Sequence, residues 1–246
     1  MRSYNYRDFT IIELGDKLLA MACDSAGAIG MKPLDHLAVD MEDVAYITGL
    51  VVLKELTTIN AKLMTVFNGV INEMKPTGEA SIRGIERLIN ELDHASSITL
   101  NGSTEENFET EQSGLHIVMT GYVDGEIPSF KGKSGQLVLI GRPLVGQEVI
   151  DEAHLSISLK ELAAVRKAVK GPMYMVGSKG ISGEIEQIEM NEKVTITLKD
   201  HVGVDTDKSG GPGCCCLVMV TDEEFVDLLT NLRCPMQGIG EIHGIH

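Results

Sequence analysis

The sequence predicts an α+β protein of two domains, residues 1–127 and 128–246, and three observations carry that prediction. Short β-type runs alternate with stretches of helical period along the whole chain. The two halves are similar in element content, and a connection bearing Gly, Pro and Lys separates them between Asp124 and Gly135. A chain of 246 residues, 43% of them hydrophobic, has material for two modest cores.

Taken in order, 9–14 and 17–23 are the opening strands, turned at Gly15-Asp16. A glycine-containing loop, DSAGAIGMKPLD, runs from Asp24 to Asp35. A helix over 42–60 follows, with Val44, Ile47, Val51, Val52, Leu56 and Ile59 on its apolar face and Asp40 as its N-cap. Residues 63–71 read as a strand. Thr77 is expected to cap a second helix that carries Ile82, Ile85, Leu88, Ile89 and Leu92 along one side. A short strand at 97–100 leads into the polar loop NGSTEENFETEQSG, and 115–123 is a further strand. The first half is thus ββαβαββ.

In the second half 136–140 is a strand, and Ser158 with Glu161 forms a capping box for a helix through Val169 that stops at Gly171-Pro172. Strands are expected near 173–176, 194–198 and 215–220. Thr221 and Glu224 make a second capping box, for a last helix with Phe225, Leu228, Leu229 and Leu232.

Charge narrows the function. The net charge is −15 and the pI about 4.8, and no Lys/Arg cluster occurs, which argues against a nucleic-acid partner. No apolar run reaches bilayer length and MRSYNYRDFT has no signal-peptide core, so no membrane partner and a cytoplasmic location are expected. Five cysteines, three of them consecutive at Cys214–Cys216, fit neither a disulfide framework nor a zinc site. They read as small strand hydrophobes in a reducing compartment.

No Walker A string, kinase glycine loop, nucleophile elbow or HExxH is present. The first candidate site is the loop after strand two. Asp24 ends a strand, Gly27 and Gly30 allow close backbone approach to an anion, and Lys32 adds a mobile cation. A glycine turn with a solvated lysine accounts for the same residues. The second candidate is the loop with Ser103, Thr104, Glu105, Glu106, Asn107 and Glu109, whose oxygens suit Mg²⁺ or simply water. Glu55 interrupts the apolar side of its helix, so it escapes to the rim or meets a cation. Asn68 sits mid-strand, as an oxygen donor or a satisfied buried amide, and Glu73 lies just beyond. His36, His94, His116, His154 and His201 are scattered, and His243 and His246 lie in a glycine-rich tail expected to fray.

These residues, in this order, resemble the AIR synthase (PurM-like) superfamily. Asp24 through Gly30-Met31-Lys32 is similar to its Asp-rich loop, its helix acid falls on Glu55, and its next metal-site aspartate falls on Asn68, a departure. Gly102-Ser103-Thr104-Glu105 looks like its Gly-Gly-Glu-Thr-type loop, and Ser209–Gly213 like a glycine run of its second domain. CDSAGAIGMKPLD, NEMKPTG (72–78) and NGSTEENFETEQSG are similar to the α-ribazole kinase branch of cobalamin salvage, GSTEEN being the most specific. The resemblance implies a PurM-like fold whose N-terminal sheets join in a dimer barrel, and transfer of the ATP γ-phosphate to the 5-hydroxyl of α-ribazole. In that reading Asp24, Glu55 and Glu105, helped by Asn68, hold Mg²⁺. Asp24, Gly27, Gly30, Lys32, Ser103 and Thr104 bind ATP, Lys32 balances phosphate charge, and Glu106 or Glu73 is the base. The alternatives are a thiamin-monophosphate kinase-like enzyme, an amide-activating ligase, or a nucleotide-binding regulatory module, the last favoured by Asn68 in place of an acid.

Overall fold

The structure is a computed structural model that describes residues 1–228 and 232–245. It divides into two compact units: Met1–Leu56 with Ala61–Gly125, and Thr57–Asn60 with Glu126–His246.

The first unit is a six-stranded sheet in the order β1-β2-β3-β8-β6-β7. Its strands are β1 Ser3–Tyr6, β2 Phe9–Leu14, β3 Lys17–Gly27, β6 Lys62–Val70, β7 Thr99–Thr104 and β8 Gly114–Asp124. The short parallel pair β4 Ile29–Gly30 and β5 Leu37–Ala38 lies in the loop after β3. All ladders of the large sheet are antiparallel except β6 with β7. Helices α1 (Met41–Thr58) and α2 (Glu79–Asn90) supply the apolar cover.

Alternation along the strands decides which face they cover. Ala20, Ala22, Ile117 and Met119 are buried, whereas Cys23, Ser25 and His116 on the other face are exposed. Gly49 in α1 makes the close crossing possible. A Cβ there would lie 2.9 Å from Ile85 Cδ1, 3.0 Å from Leu88 Cδ2 and 3.4 Å from Met119 Cε, so α1, α2 and β8 meet at this residue.

The second unit is a five-stranded sheet, β10-β12-β9-β13-β11, antiparallel throughout. Its strands are β9 Gly135–Gly141, β10 Met173–Met175, β11 Val194–Leu198, β12 Cys215–Val220 and β13 Met236–Gly244, and its helices are α3 Glu148–Asp151, α4 Leu159–Ala168, α5 Gly180–Glu192 and α6 Asp222–Leu228. This sheet is buried on both faces. Leu137, Leu139, Cys215, Leu217 and Met219 pack with Ile181 and Ile188 of α5. Val138, Ile140, Cys216, Val218 and Val220 pack with Leu162 and Val165 of α4 and Leu228 of α6. Strands buried on both sides must read as continuous apolar runs, which explains CCCLVMV. Cys214, Cys215, Cys216 and Cys234 are all buried and none is in a disulfide.

Several expectations are corrected. Thr77 does not cap α2, which follows Gly78 without a side-chain cap; its hydroxyl donates instead to Glu73 at 2.5 Å. The strand expected at 97–100 begins at Thr99 and continues to Thr104, so Asn101–Thr104 belong to an edge strand and not to the loop. An unforeseen strand, β1, precedes β2, and α5 was not foreseen either. The tail expected to fray is β13, held by β9 and β11. The capping boxes at Ser158/Glu161 and Thr221/Glu224 are formed, and Asp40 Oδ1 accepts from Glu42 N at 2.8 Å. Leu229 and His246 lie outside the described residues. No described helix is long and apolar enough to cross a membrane.

Candidate functional site

Three segments distant in sequence meet at the end of the first sheet where β3 and β6 finish and β8 begins. The loop after β3 is tied down by Asp35. Its carboxylate accepts from Lys32 N at 2.8 Å, Ser113 N at 2.7 Å and Ser113 Oγ at 2.7 Å. Burial raises the Asp35 carboxyl, but these bonds and the Lys32 charge outweigh it and hold the group below the usual range. Gly30 is required by the same contact, since a Cβ would meet Ser113 Cβ at 2.5 Å and Asp35 Oδ2 at 2.8 Å. Gly27 ends β3 with open space where a Cβ would be.

The second segment follows β6. Buried Asn72 donates to Thr110 Oγ1 (2.5 Å) and Gln112 O (2.9 Å) and accepts from Gly114 N (3.1 Å), which shapes the third segment, 105–114. Met74 N donates to Glu106 Oε1 at 2.6 Å, and Glu105 N donates to Asn72 O at 3.0 Å. Lys32 Nζ reaches across to Glu73 Oε2 at 2.6 Å. Burial raises the Glu73 carboxyl, yet the bonds from Lys32 and Thr77 hold it below its usual range. Lys32, Glu73 and Thr77 line a cavity of 410 Å³ with Met31, Asp40 and Arg83.

Asp24, Ser103 and Thr104 lie on the sheet itself. Asp24 sits on β3 opposite Ile117. Desolvation raises its carboxyl above the ordinary range, against the opposing effects of the Ser25 backbone and His116. Beyond it Ser25 Oγ and His116 Nδ1 are 2.7 Å apart. Ser103 lines a second cavity, of 310 Å³, with Phe67, Gly69, Asn101, Gly102, His116 and Val118. Thr104 Oγ1 donates to Glu106 Oε1 at 3.1 Å.

Of the four residues expected to bind metal, Asp24 and Asn68 share one row of the sheet on either side of Ile117, and Glu55 and Glu105 have other partners. Glu55 lies against Arg7, 3.8 Å away on the turn between β1 and β2. Asn68 is buried and its carboxamide both donates to and accepts from Ser81 Oγ of α2, at 2.9 and 3.1 Å. Glu105 turns to Asn107 N at 2.7 Å. Among the described residues no group of three or more His, Cys, Asp or Glu is placed to hold a metal ion. The described residues thus hold no ready-made carboxylate cluster for a resident Mg²⁺. Sequence reasoning passed over Asp35, Asn72, Ser113 and His116. Asn72 opens one of the quoted strings, but nothing local signals partners forty residues away.

No family model matches the chain, and no curated protein matches it. Solved structures do. Thiamine monophosphate kinase from Aquifex aeolicus matches with TM-score 0.66 and 13% identity, over 96% of this chain and 89% of that one. The kinase from Stenotrophomonas maltophilia K279a matches with TM-score 0.62 and 16% identity, over 97% and 88%. HypE of a HypE-HypF complex gives TM-score 0.61 at 16% identity, over 96% and 87%. At such identities the likeness concerns architecture, and it spans both units: the chain has the PurM-like α+β fold.

Proposed function

We propose that the protein is an ATP-dependent phosphotransferase acting on a small-molecule hydroxyl, with α-ribazole, converted to α-ribazole 5-phosphate, as its acceptor. One observation carries the reading. The three strings similar to the α-ribazole kinase branch, far apart in sequence, are joined by Lys32–Glu73, Met74–Glu106, Asn72–Thr110 and Asp35–Ser113 contacts, and each string lends a residue (Lys32, Glu73, Ser113) to one cavity. Support for the nucleotide comes from a solved structure with TM-score 0.65 over 97% of this chain, described as AaThiL complexed with AMPPCP and TMP.

Phosphoryl transfer asks for positioning and charge more than covalent chemistry. Lys32 is the cation for the phosphates, and it meets them by exchanging Glu73 for a phosphate oxygen. Ser103, Thr104 and the backbone at Gly27 complete the nucleotide contacts. The metal ion arrives with the nucleotide as part of the substrate. Asp24, half-buried and with a raised pKa, gains from a cation brought close. Glu73 is a weak base in this state, held down by its bonds from Lys32 and Thr77, and Glu106 is occupied by its hydrogen bond from Met74 N.

The test incubates the protein with magnesium-ATP and α-ribazole, with thiamin monophosphate alongside, and follows products by mass. A product one phosphate heavier than α-ribazole supports the reading, and Lys32→Ala and Asp24→Ala should each lower kcat about 100-fold or more. Phosphorylation of thiamin monophosphate alone transfers the assignment to that acceptor, the reading favoured by the solved kinases above. Bound ATP without turnover of either would favour a regulatory module.

A further inference from the structure

The exposed face of the first sheet carries a row of positions of which this mechanism uses only Ser103, at its β7 end. Strand register sets Ser25 of β3 opposite His116 of β8, His116 opposite Gly69 of β6, and Gly69 opposite Ser103 of β7. These four stand side by side across four strands. The next row on the same face is Cys23, Val118, Phe67 and Asn101. Gly69 leaves a gap between the His116 and Ser103 side chains, and the gap is the floor of the 310 Å³ cavity. Phe67 borders it and is 45% exposed, unusual for a phenylalanine on a regular strand. A flat floor, an aromatic ring at its border and polar groups at both ends suit one small planar ring bearing a hydroxyl. The volume lies at the lower end of the range for small-molecule sites.

We infer that this row is the acceptor subsite, that it takes a heteroaromatic alcohol stacked against Phe67, and that His116 accepts the proton of the reacting hydroxyl. The inference rests on the phosphotransfer reading and supplies the base that reading lacks. The Ser25 Oγ–His116 Nδ1 bond fixes the ring, and in the tautomer in which Nδ1–H donates, Nε2 is the free acceptor of a residue that lines the cavity. As the acceptor oxygen forms its bond to the γ-phosphorus, the O–H proton passes to Nε2. The bond from the γ-phosphorus to the bridging oxygen breaks, ADP leaves, and the imidazolium returns its proton to solvent. Ser25 is a positioning residue. The ionisable neighbours are Asp24, next to Ser25 in sequence, and Cys23. Strands β6 and β7 present Gly69, Phe67, Asn101 and Ser103, none of which ionises.

The experiment has two arms, so that failure of the subsite and failure of the kinase reading are separable. In the first, wild type, His116→Gly and Phe67→Ala are assayed with magnesium-ATP and α-ribazole. His116→Gly should lose about 100-fold or more in kcat, with KM for ATP unchanged and activity partly restored by added imidazole. Phe67→Ala should raise the acceptor KM about 10-fold. Near-normal turnover by His116→Gly overturns the inference while the kinase reading stands. In the second arm, NMR follows the histidine ring resonances of wild type, assigned with His116→Gln, on addition of α-ribazole without nucleotide. A selective shift of His116 supports the subsite even if no turnover occurs. No shift, as when a second copy covers the row, overturns it.

Discussion

Glu192 shows how much one buried residue can organise. It ends α5 with 2% of its surface exposed, and its carboxylate accepts from Ser129 Oγ at 2.7 Å, Phe130 N at 2.8 Å and Tyr174 Oη at 3.2 Å. The first two belong to the segment before β9 within the second unit, and the third to β10. Removing the acceptor leaves these donors buried and strips charge-assisted bonds. Glu192→Ala should therefore lower unfolding stability by about 3 kcal/mol, seen as a lower urea midpoint at unchanged slope, and Ser129→Ala by about 1 kcal/mol. A midpoint unmoved by Glu192→Ala would refute this role. Lys32 was legible at this scale because a lysine after two glycines suggests an anion site. Its partner Glu73 was not, because 41 residues separate them. Asn68 could be read from sequence either as a ligand or as a satisfied amide, and only Ser81, brought by α2, distinguishes the two.

Caps are the most legible elements, since both partners lie within three residues. In α4, Ser158 Oγ accepts from Glu161 N at 3.2 Å, while Glu161 accepts from Ser158 N at 3.0 Å and Ser158 Oγ at 2.6 Å. Glu161 also accepts from Arg233 N and Cys234 N, which fastens the start of α4 to the segment before β13. Burial works to raise its pKa, but these four donors outweigh burial and bring it down to about 2. A depressed folded pKa means stability present above the unfolded value and lost as pH falls. The window here runs from about 4.3 down to about 2. After allowance for solvent screening the contribution is on the order of 1 kcal/mol. Glu161→Gln should cost that much at neutral pH and flatten the stability profile across the window in urea titrations at stepped pH; an unchanged profile would exclude Glu161 as the group responsible. Helix α5 and strand β13 escaped the sequence reading for a related reason. Gly180 and Gly183 open α5, and Gly238, Gly240 and Gly244 punctuate β13, so propensity argued against elements that tertiary pairing makes.

Across the whole molecule the two sheets solve opposite problems, and their sequences record it. Apolar runs such as QLVLIG and CCLVMV belong to the sheet covered on both faces, whereas β3 and β8 alternate because no helix of their own unit covers their second face among the described residues. That second face carries Ile12, Leu19 and Tyr122 in one row, which ends at Lys62, with Thr10, Met21, Thr120 and Thr65 in the next. The polar row of Ser25 and His116 lies further toward one end of the strands. We propose that Ile12, Leu19, Met21 and Tyr122 meet the same residues of a second copy, leaving the polar end at the rim of the interface. The two sheets should then respond differently to substitution. Ile140→Ala removes bulk from a sealed core and should cost about 2–5 kcal/mol. Leu19→Asp alters only the uncovered face, so it should shift unfolding of the protomer by less than about 1 kcal/mol. In sedimentation equilibrium it should convert a wild-type dimer to monomer, because a charge in an apolar interface is not desolvated without loss. A monomeric wild type, or a Leu19→Asp dimer of undiminished affinity, would remove this face from any role in assembly and leave the polar row as its one functional feature.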